Sequence, residues 1–299
     1  MYNCMNIWHY IRASLVLLGL TLNTLVLAFP LFLMALARFV IRHERTQIAL
    51  ARGLVRVAES WMWVNNTLIT LISRPHWQVE GLEGLDKNSW YLVTSNHQSW
   101  ADILILQKVF NRRIPMLKFF LKQELIRVPV LGLAWWALDF PFMQRHTREQ
   151  IERNPALKGK DLETTRKACE KFAHFPTSVM NFFEGTRFTA AKQAQQQSPY
   201  QYLLKPKAGG TAFALAAMGG KLDTLLDVTI IYPPAASRNL LAFLGGAVNQ
   251  VQVVIWQRAI PAWTATGDYE NDPEFRARFQ QWVSELWQEK DALLQARMS

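Results

Sequence analysis

Two short polar stretches in an apolar chain carry the residue types that chemistry needs. The first is Ser95-Asn96-His97-Gln98-Ser99-Trp100-Ala101-Asp102, preceded by Trp90, Tyr91, Leu92 and Val93. Those four apolar residues, bounded by Asn88 and Ser89, read as a short buried strand. Thr94, Ser95 and Asn96 read as the turn that ends it. Ser99 is the candidate N-cap of a helix whose apolar face is Ile103, Leu104, Leu106 and Val109. His97 then sits at the mouth of a strand-to-helix turn, with Asp102 about one turn into the helix. Helical side chains lean toward the N-terminus, so Asp102 can reach back to the imidazole. A carboxylate on one ring nitrogen fixes the tautomer and leaves the other nitrogen as a base. An isolated H-x-x-x-x-D is more often a surface histidine beside an acid.

A second stretch of the same kind changes that balance. Val179 to Phe183 is another apolar run, and it stops at Glu184-Gly185-Thr186-Arg187. Ligands of open α/β sheets bind where strands end. Gly185 permits a tight turn, Thr186 offers a hydroxyl, and Arg187 offers a forked cation suited to phosphate. The competing reading is a plain turn with a surface ion pair. Lys122, and Arg145 in the basic run Arg145, His146, Arg148, Arg153, Lys158 and Lys160, are further candidates for an anionic substrate group. That run also fits an ordinary solvated surface. The six His show no paired metal-ligand spacing, and neither do Cys4 and Cys169, so no metal is expected.

These two loops need a sheet to hold them. The expected fold is α/β, with a central mixed β-sheet flanked by helices and an N-terminal membrane-embedded helical segment. From Ala13 to Ala37 no residue is charged. At about 1.5 Å per residue such a helix exceeds the roughly 30 Å hydrocarbon core. It could span with a tilt, or Asn23 and Pro30 could bend it into a re-entrant hairpin. Arg12 precedes it, and Arg38, Arg42, His43, Arg45, Arg52 and Arg56 follow it. The positive-inside rule therefore puts the following residues in the cytoplasm, at the inner membrane. Leu54 to Ile72 reads as an amphipathic interfacial or packing helix. The expected division is 1–75 for the anchor and interfacial helix and 76–299 for the catalytic domain.

Further along, Trp77 to Glu80 reads as the first strand. Val128 to Phe142 is apolar but short for a span. Asp161 to His174 reads as a helix and Ala190 to Pro199 as a mobile surface loop. An Ala-rich helix runs through Met218, and strands follow at Val228 to Tyr232 and Gln250 to Trp256. Asp272-Pro273-Glu274 starts a closing helix with Phe275, Phe279, Trp282, Val283, Leu286 and Leu293 on one face. Net charge is +10 with 12 Trp. Basic residues interleaved with Trp and Phe beside an apolar segment favour an anionic membrane over nucleic acid.

With these residues in hand, the chain resembles the 1-acylglycerol-3-phosphate acyltransferase family of glycerolipid acyltransferases. The resemblance rests on Asn96-His97-Gln98-Ser99-Trp100-Ala101-Asp102 followed by Phe183-Glu184-Gly185-Thr186-Arg187. Phe142-Met143-Gln144-Arg145 and Val228-Thr229-Ile230-Ile231-Tyr232-Pro233 match two weaker blocks in order. With Lys205-Pro206-Lys207 and Asp227, the wording resembles a bacterial member close to the branch that includes the animal enzymes. The resemblance implies acyl transfer from acyl-CoA or acyl-ACP to the free hydroxyl of a lysophospholipid, with no cofactor beyond that co-substrate. Lysophosphatidic acid is the expected acceptor. Lysophosphatidylglycerol or a lysocardiolipin is the alternative, because Met143, Gln144 and Thr229 depart from the common pattern near the expected acceptor pocket. His97 is the expected base and Asp102 its orienter. Arg187 and Arg145 are the expected phosphate clamp, and Glu184 is expected to orient Arg187 and its loop. Backbone amides after Asn96 are the candidate oxyanion donors.

Three rivals remain. A serine hydrolase using Ser95 or Ser99 lacks a G-x-S-x-G elbow. A basic nucleic-acid-binding protein would show a reader motif. A non-catalytic basic membrane-binding scaffold would not need His97, Asp102, Glu184 and Arg187 intact.

Overall fold

The charge-free run folds as one helix. In the computed structural model, which describes residues 5–143, 153, 163, 167, 175–233 and 239–298, α1 (Ile7–Val40) continues through both Asn23 and Pro30. It starts at a capping box in which Asn6 accepts from the His9 N–H and His9 accepts from the Asn6 N–H. α2 (Glu44–Ile72) then turns back and packs on it. Asn23 does not bend the helix; it locks the pair. Its amide donates to Asn65 Oδ1 at 2.8 Å and to the Trp61 carbonyl at 3.0 Å, and the Trp61 indole donates to Thr24 Oγ1 at 3.0 Å. Polar groups between apolar helices are tolerated when each donor finds an acceptor. The other face of α1 stays apolar and exposed, from Trp8 through Leu18, Val26 and Phe29 to Phe39. Among the described residues, α1 is the one helix long and apolar enough to cross a membrane.

The sheet follows. β1 (His76–Glu80), β2 (Tyr91–Ser95), α3 (Ala101–Phe110), β3 (Leu117–Phe119), β4 (Leu121–Lys122), α4 (Leu131–Ala137), β5 (Phe142–Met143) and β6 (Ser178–Asn181) come in order. Then come α5 (Ala190–Gln195), α6 (Gly209–Met218), β7 (Thr224–Ile231), α7 (Leu240–Leu244), β8 (Gln250–Ala259) and α8 (Pro273–Met298). Six strands form one mixed sheet in the order β1-β8-β7-β2-β6-β3, and β4 pairs with β5 apart from it. β7, β2, β6 and β3 run parallel; β8 runs antiparallel to β7.

β2 lies inside the sheet, bonded to β7 on one side and β6 on the other, and every residue in it is buried. This is why the strand runs on through Thr94 and Ser95, which their residue types had suggested as a turn. Two flanking strands satisfy their backbone, and in that setting polarity alone does not stop a strand. Tyr91 and Val93 pack with α3 and the hairpin on one face; Leu92 packs with α6 and α8 on the other. The hairpin sits directly on the domain. Ser73 Oγ donates to the Leu244 carbonyl at 2.5 Å, and Gly245 lies so near His9 that a Cβ would come within 2.4 Å of its carbonyl oxygen.

Two more expectations change. Ala190 to Gln195 is a short helix capped by Thr189, whose hydroxyl accepts from the Lys192 N–H. The closing helix starts as expected, with Asp272 accepting from Glu274 and Phe275 N–H groups. However, its buried face also carries Trp287, Lys290, Asp291 and Leu294. Lys290 is wholly buried, with its ammonium 2.6 Å from Asp227 Oδ1 and bonded to the Val228 carbonyl and Thr229 Oγ1. Burial lowers its pKa below the usual lysine value, and the charge of Asp227 opposes that. Thr229 thus faces α8.

Among the described residues, removing Lys290 leaves the buried Asp227 only the more distant Arg258, 3.7 Å from its Oδ2. Lys290→Met should therefore lower unfolding stability by about 3–5 kcal/mol, read by denaturant melts. Adding Asp227→Leu should recover most of the loss. A single variant as stable as the wild type would contradict this account.

Candidate active site

β2 and β6 are parallel neighbours, with Thr94 opposite Asn181. Their carboxyl ends therefore release two loops side by side, the one with His97 and the one with Glu184. Asn96 ties the first loop down. Its carboxamide mimics a strand edge: Nδ2 donates to the Ile230 carbonyl and Oδ1 accepts from the Ile230 N–H, each at 2.8 Å.

The His97 backbone is held at both ends. Its N–H donates to Glu184 Oε1 at 2.7 Å, and its carbonyl accepts from the Phe188 N–H at 2.7 Å. Glu184 Oε2 takes the Leu204 N–H at 2.9 Å. Glu184 is wholly buried and turned away from the cavity. Expected to orient Arg187 and its loop, Glu184 holds the loop through backbone: its two oxygens accept from the His97 and Leu204 amides. Burial pushes its carboxyl up to about 7, against the pull of those two N–H donors.

The ring of His97 is placed by two further contacts. Nδ1 lies 2.8 Å from Asp102 Oδ2, and Phe182 stacks on the imidazole with centroids 4.0 Å apart. Asp102 stands at the second position of α3, nearer the loop than its spacing suggested. Ser99 precedes the helix and its hydroxyl accepts from the Ala101 N–H. Asp102 Oδ2 also accepts from the Gln98 and Ser99 N–H groups at 2.6 and 2.8 Å. The amides after Asn96, expected as oxyanion donors, are thus already committed to Asp102 and Glu184.

Arg187 faces the same cavity. Its guanidinium lies over the Trp100 ring, 5.0 Å from the centroid. An aromatic face holds a guanidinium while leaving its edge N–H groups for an anion. Gly185 takes φ +66, the left-handed region that glycine enters without cost. Thr186 Oγ1 accepts from Lys192, which also reaches the Arg187 carbonyl. His97, Trp100, Gly185, Thr186, Arg187 and Lys122 line one cavity of about 920 Å³. Its remaining wall is mostly apolar and includes Leu27, Leu31 and Trp61 of the hairpin and Leu131 and Trp135 of α4. Arg145, and the helix expected over Asp161 to His174, lie outside the described residues apart from Glu163 and Lys167. Phe182, Trp100 and Lys192 are contributors that residue type alone did not flag.

Because the folded protein holds the Glu184 proton more tightly than an unfolded chain does, the sign is fixed. The stability that this group contributes is full below the ordinary value of 4.5 and fades as pH rises through about 7. Glu184→Gln should lose that slope in denaturant melts between pH 5 and 8. At pH 5 it should also be about 1–3 kcal/mol less stable, because one carboxamide oxygen cannot serve two amides. An unchanged slope would remove Glu184 as its source.

Residues 76–236 match the family model described as Acyltransferase. The chain is similar to mouse 1-acyl-sn-glycerol-3-phosphate acyltransferase gamma, with 27% identity over 186 residues, 59% of this chain and 44% of the relative. It is also similar to the Saccharomyces cerevisiae 2-acyl-1-lysophosphatidylinositol acyltransferase, with 23% identity over 249 residues, 72% of this chain and 62% of that one. The chain thus spans under half the length of the mouse protein. In fold it is similar to the crystal structure of the 1-acyl-sn-glycerophosphate (LPA) acyltransferase, PlsC, from Thermotoga maritima, with a TM-score of 0.52 at 20% identity, covering 93% of this chain and 97% of the other. From a family match over more than half its length, the chain belongs to the acyltransferase family.

Proposed function

We propose that this chain transfers a fatty acyl group from a thioester, acyl-CoA or acyl carrier protein, to the free hydroxyl of a lysophospholipid. The observation that carries this reading is the shared cavity: an imidazole on a buried carboxylate and a guanidinium on an indole line one space whose remaining wall is mostly apolar. An ionised carboxylate has no proton to give, so Nδ1–H donates to Asp102 and Nε2 keeps its lone pair. An alcohol attacks a thioester poorly until a base takes its proton. Nε2 would take that proton as the oxygen adds to the carbonyl, the C–S bond would break, and the imidazolium would return the proton to the leaving thiolate. The products are an ester and a free thiol, and no acyl-enzyme is needed. Arg187, with Lys122 at the cavity edge, would hold the acceptor's phosphate and so aim its hydroxyl.

A serine nucleophile fits less well. Ser95 Oγ donates to the Asn96 carbonyl and Ser99 Oγ accepts from the Ala101 N–H, and both side chains are buried. Lysophosphatidic acid is the favoured acceptor, since a phosphomonoester presents most charge to Arg187. The yeast relative, named for a lysophosphatidylinositol, supports a larger head group as the second reading.

The hairpin supports attachment to the bilayer. The exposed face of α1 supplies apolar surface over its whole length, and the opposite side of the hairpin walls the cavity. A lysolipid tail would pass from the membrane into that space without crossing water. The arginines after the apolar run favour the cytoplasmic side of the inner membrane.

His97→Ala should reduce kcat by about 10²–10⁴-fold with an unchanged melting temperature. Near-wild-type turnover would end the base mechanism. Arg187→Ala should raise the KM of the acceptor at least about tenfold while the donor KM stays within twofold, as expected when a charge-assisted contact to one substrate is lost. Equal effects on both would remove Arg187 from the acceptor site.

A further inference from the structure

The far oxygen of Asp102 is served by neither loop. Asp102 Oδ2 carries the His97 ring and two backbone amides, whereas Oδ1 accepts from the Tyr232 hydroxyl at 2.5 Å. Tyr232 is 1% exposed, lies just past the end of β7 and stands outside the cavity lining. Its position is built in. Two residues earlier, Ile230 is clamped by the Asn96 carboxamide, so the loop holding His97 and the chain holding Tyr232 are pinned together.

We propose that Tyr232 is a positioning residue that sets the basicity of the His97–Asp102 pair. The proposal rests on the reading of His97 as general base. A donor on Oδ1 draws carboxylate charge away from Oδ2 and so weakens the hold on the imidazolium. With the hydroxyl present, Asp102 holds the imidazolium less tightly than it would without that donor. Without it, Asp102 keeps one buried oxygen short of a donor, the imidazolium is held more tightly, and the ring stays protonated to higher pH. Charged groups that face the pair include Glu184 from the turn after β6, itself flanked by Lys290 of α8, and Arg187 and Lys122 of the same cavity.

The experiment is the pH profile of kcat for the full-length wild type and Tyr232→Phe. The acid limb should move to higher pH by about 0.5 to 1, which makes kcat about three- to tenfold lower near pH 6.5 and within twofold of wild type near pH 9. KM for both substrates should hold. A loss of activity equal at every pH, or no change at all, would overturn the proposal, because a packing role would not move the limb. NMR titration of the His97 ring in both proteins gives a second reading independent of turnover, and an unmoved midpoint overturns the proposal equally. An active His97→Ala enzyme would instead fail the base reading on which this one rests, and both would fall.

Discussion

One buried carboxylate with two amides to satisfy determines how the two loops meet. Glu184 accepts the His97 N–H on one oxygen and the Leu204 N–H on the other, with no exposure to solvent. Leaving either amide unmet in the interior would be costly. The arrangement therefore has little freedom: the turn after β6 must sit against the turn after β2, and the segment before α6 must close over both. The Phe188 N–H to the His97 carbonyl and the Lys207 N–H to the Phe183 carbonyl complete the same lock. Glu184 lies next to the chemistry without touching it.

The cavity shows the consequence. His97, Thr186 and Arg187 line it together with a mostly apolar wall from the hairpin, α4 and the neighbourhood of β3. An apolar body with a few convergent polar groups is what an amphiphile with a charged head requires. The donors are spoken for in advance. Gln98 and Ser99 amides serve Asp102, and the Lys192 ammonium serves Thr186 and the Arg187 carbonyl. A site whose supporting hydrogen bonds are already made needs little reorganisation when substrate arrives.

The parts legible in the sequence were those with a short-range cause. His97, Asp102 and Arg187 declared themselves by residue type at the ends of apolar runs, and Asp272-Pro273-Glu274 marked a helix start that the structure keeps. What the sequence hid has long-range causes. Thr94 and Ser95 are polar, yet two sheet neighbours keep them extended. Asn23 looks like a breaker, yet a partner helix supplies acceptors for its amide, and α1 runs on through Pro30 as well. Glu184 reads as an orienter of Arg187 and its loop, and the two amides it holds, 87 and 20 residues away in the chain, are not visible in the sequence. Lys290 carries no local signal of burial, yet Asp227 and the β7 backbone hold it in the core. Phe182 and Tyr232 are ordinary apolar-run residues whose importance appears only when the rings around His97 are seen.

The central claim is that the cavity joins a thioester carbonyl to a lysolipid hydroxyl under one imidazole. The most direct measurement is product analysis by mass spectrometry. Purified protein would be given an isotope-labelled acyl-CoA or acyl carrier protein and a panel of lysophospholipids differing in head group. The account predicts a diacyl phospholipid carrying the label, formed in step with free thiol and strongest with a phosphate-bearing acceptor. Labelled free fatty acid without diacyl product, or no reaction with any acceptor and either donor, would contradict it.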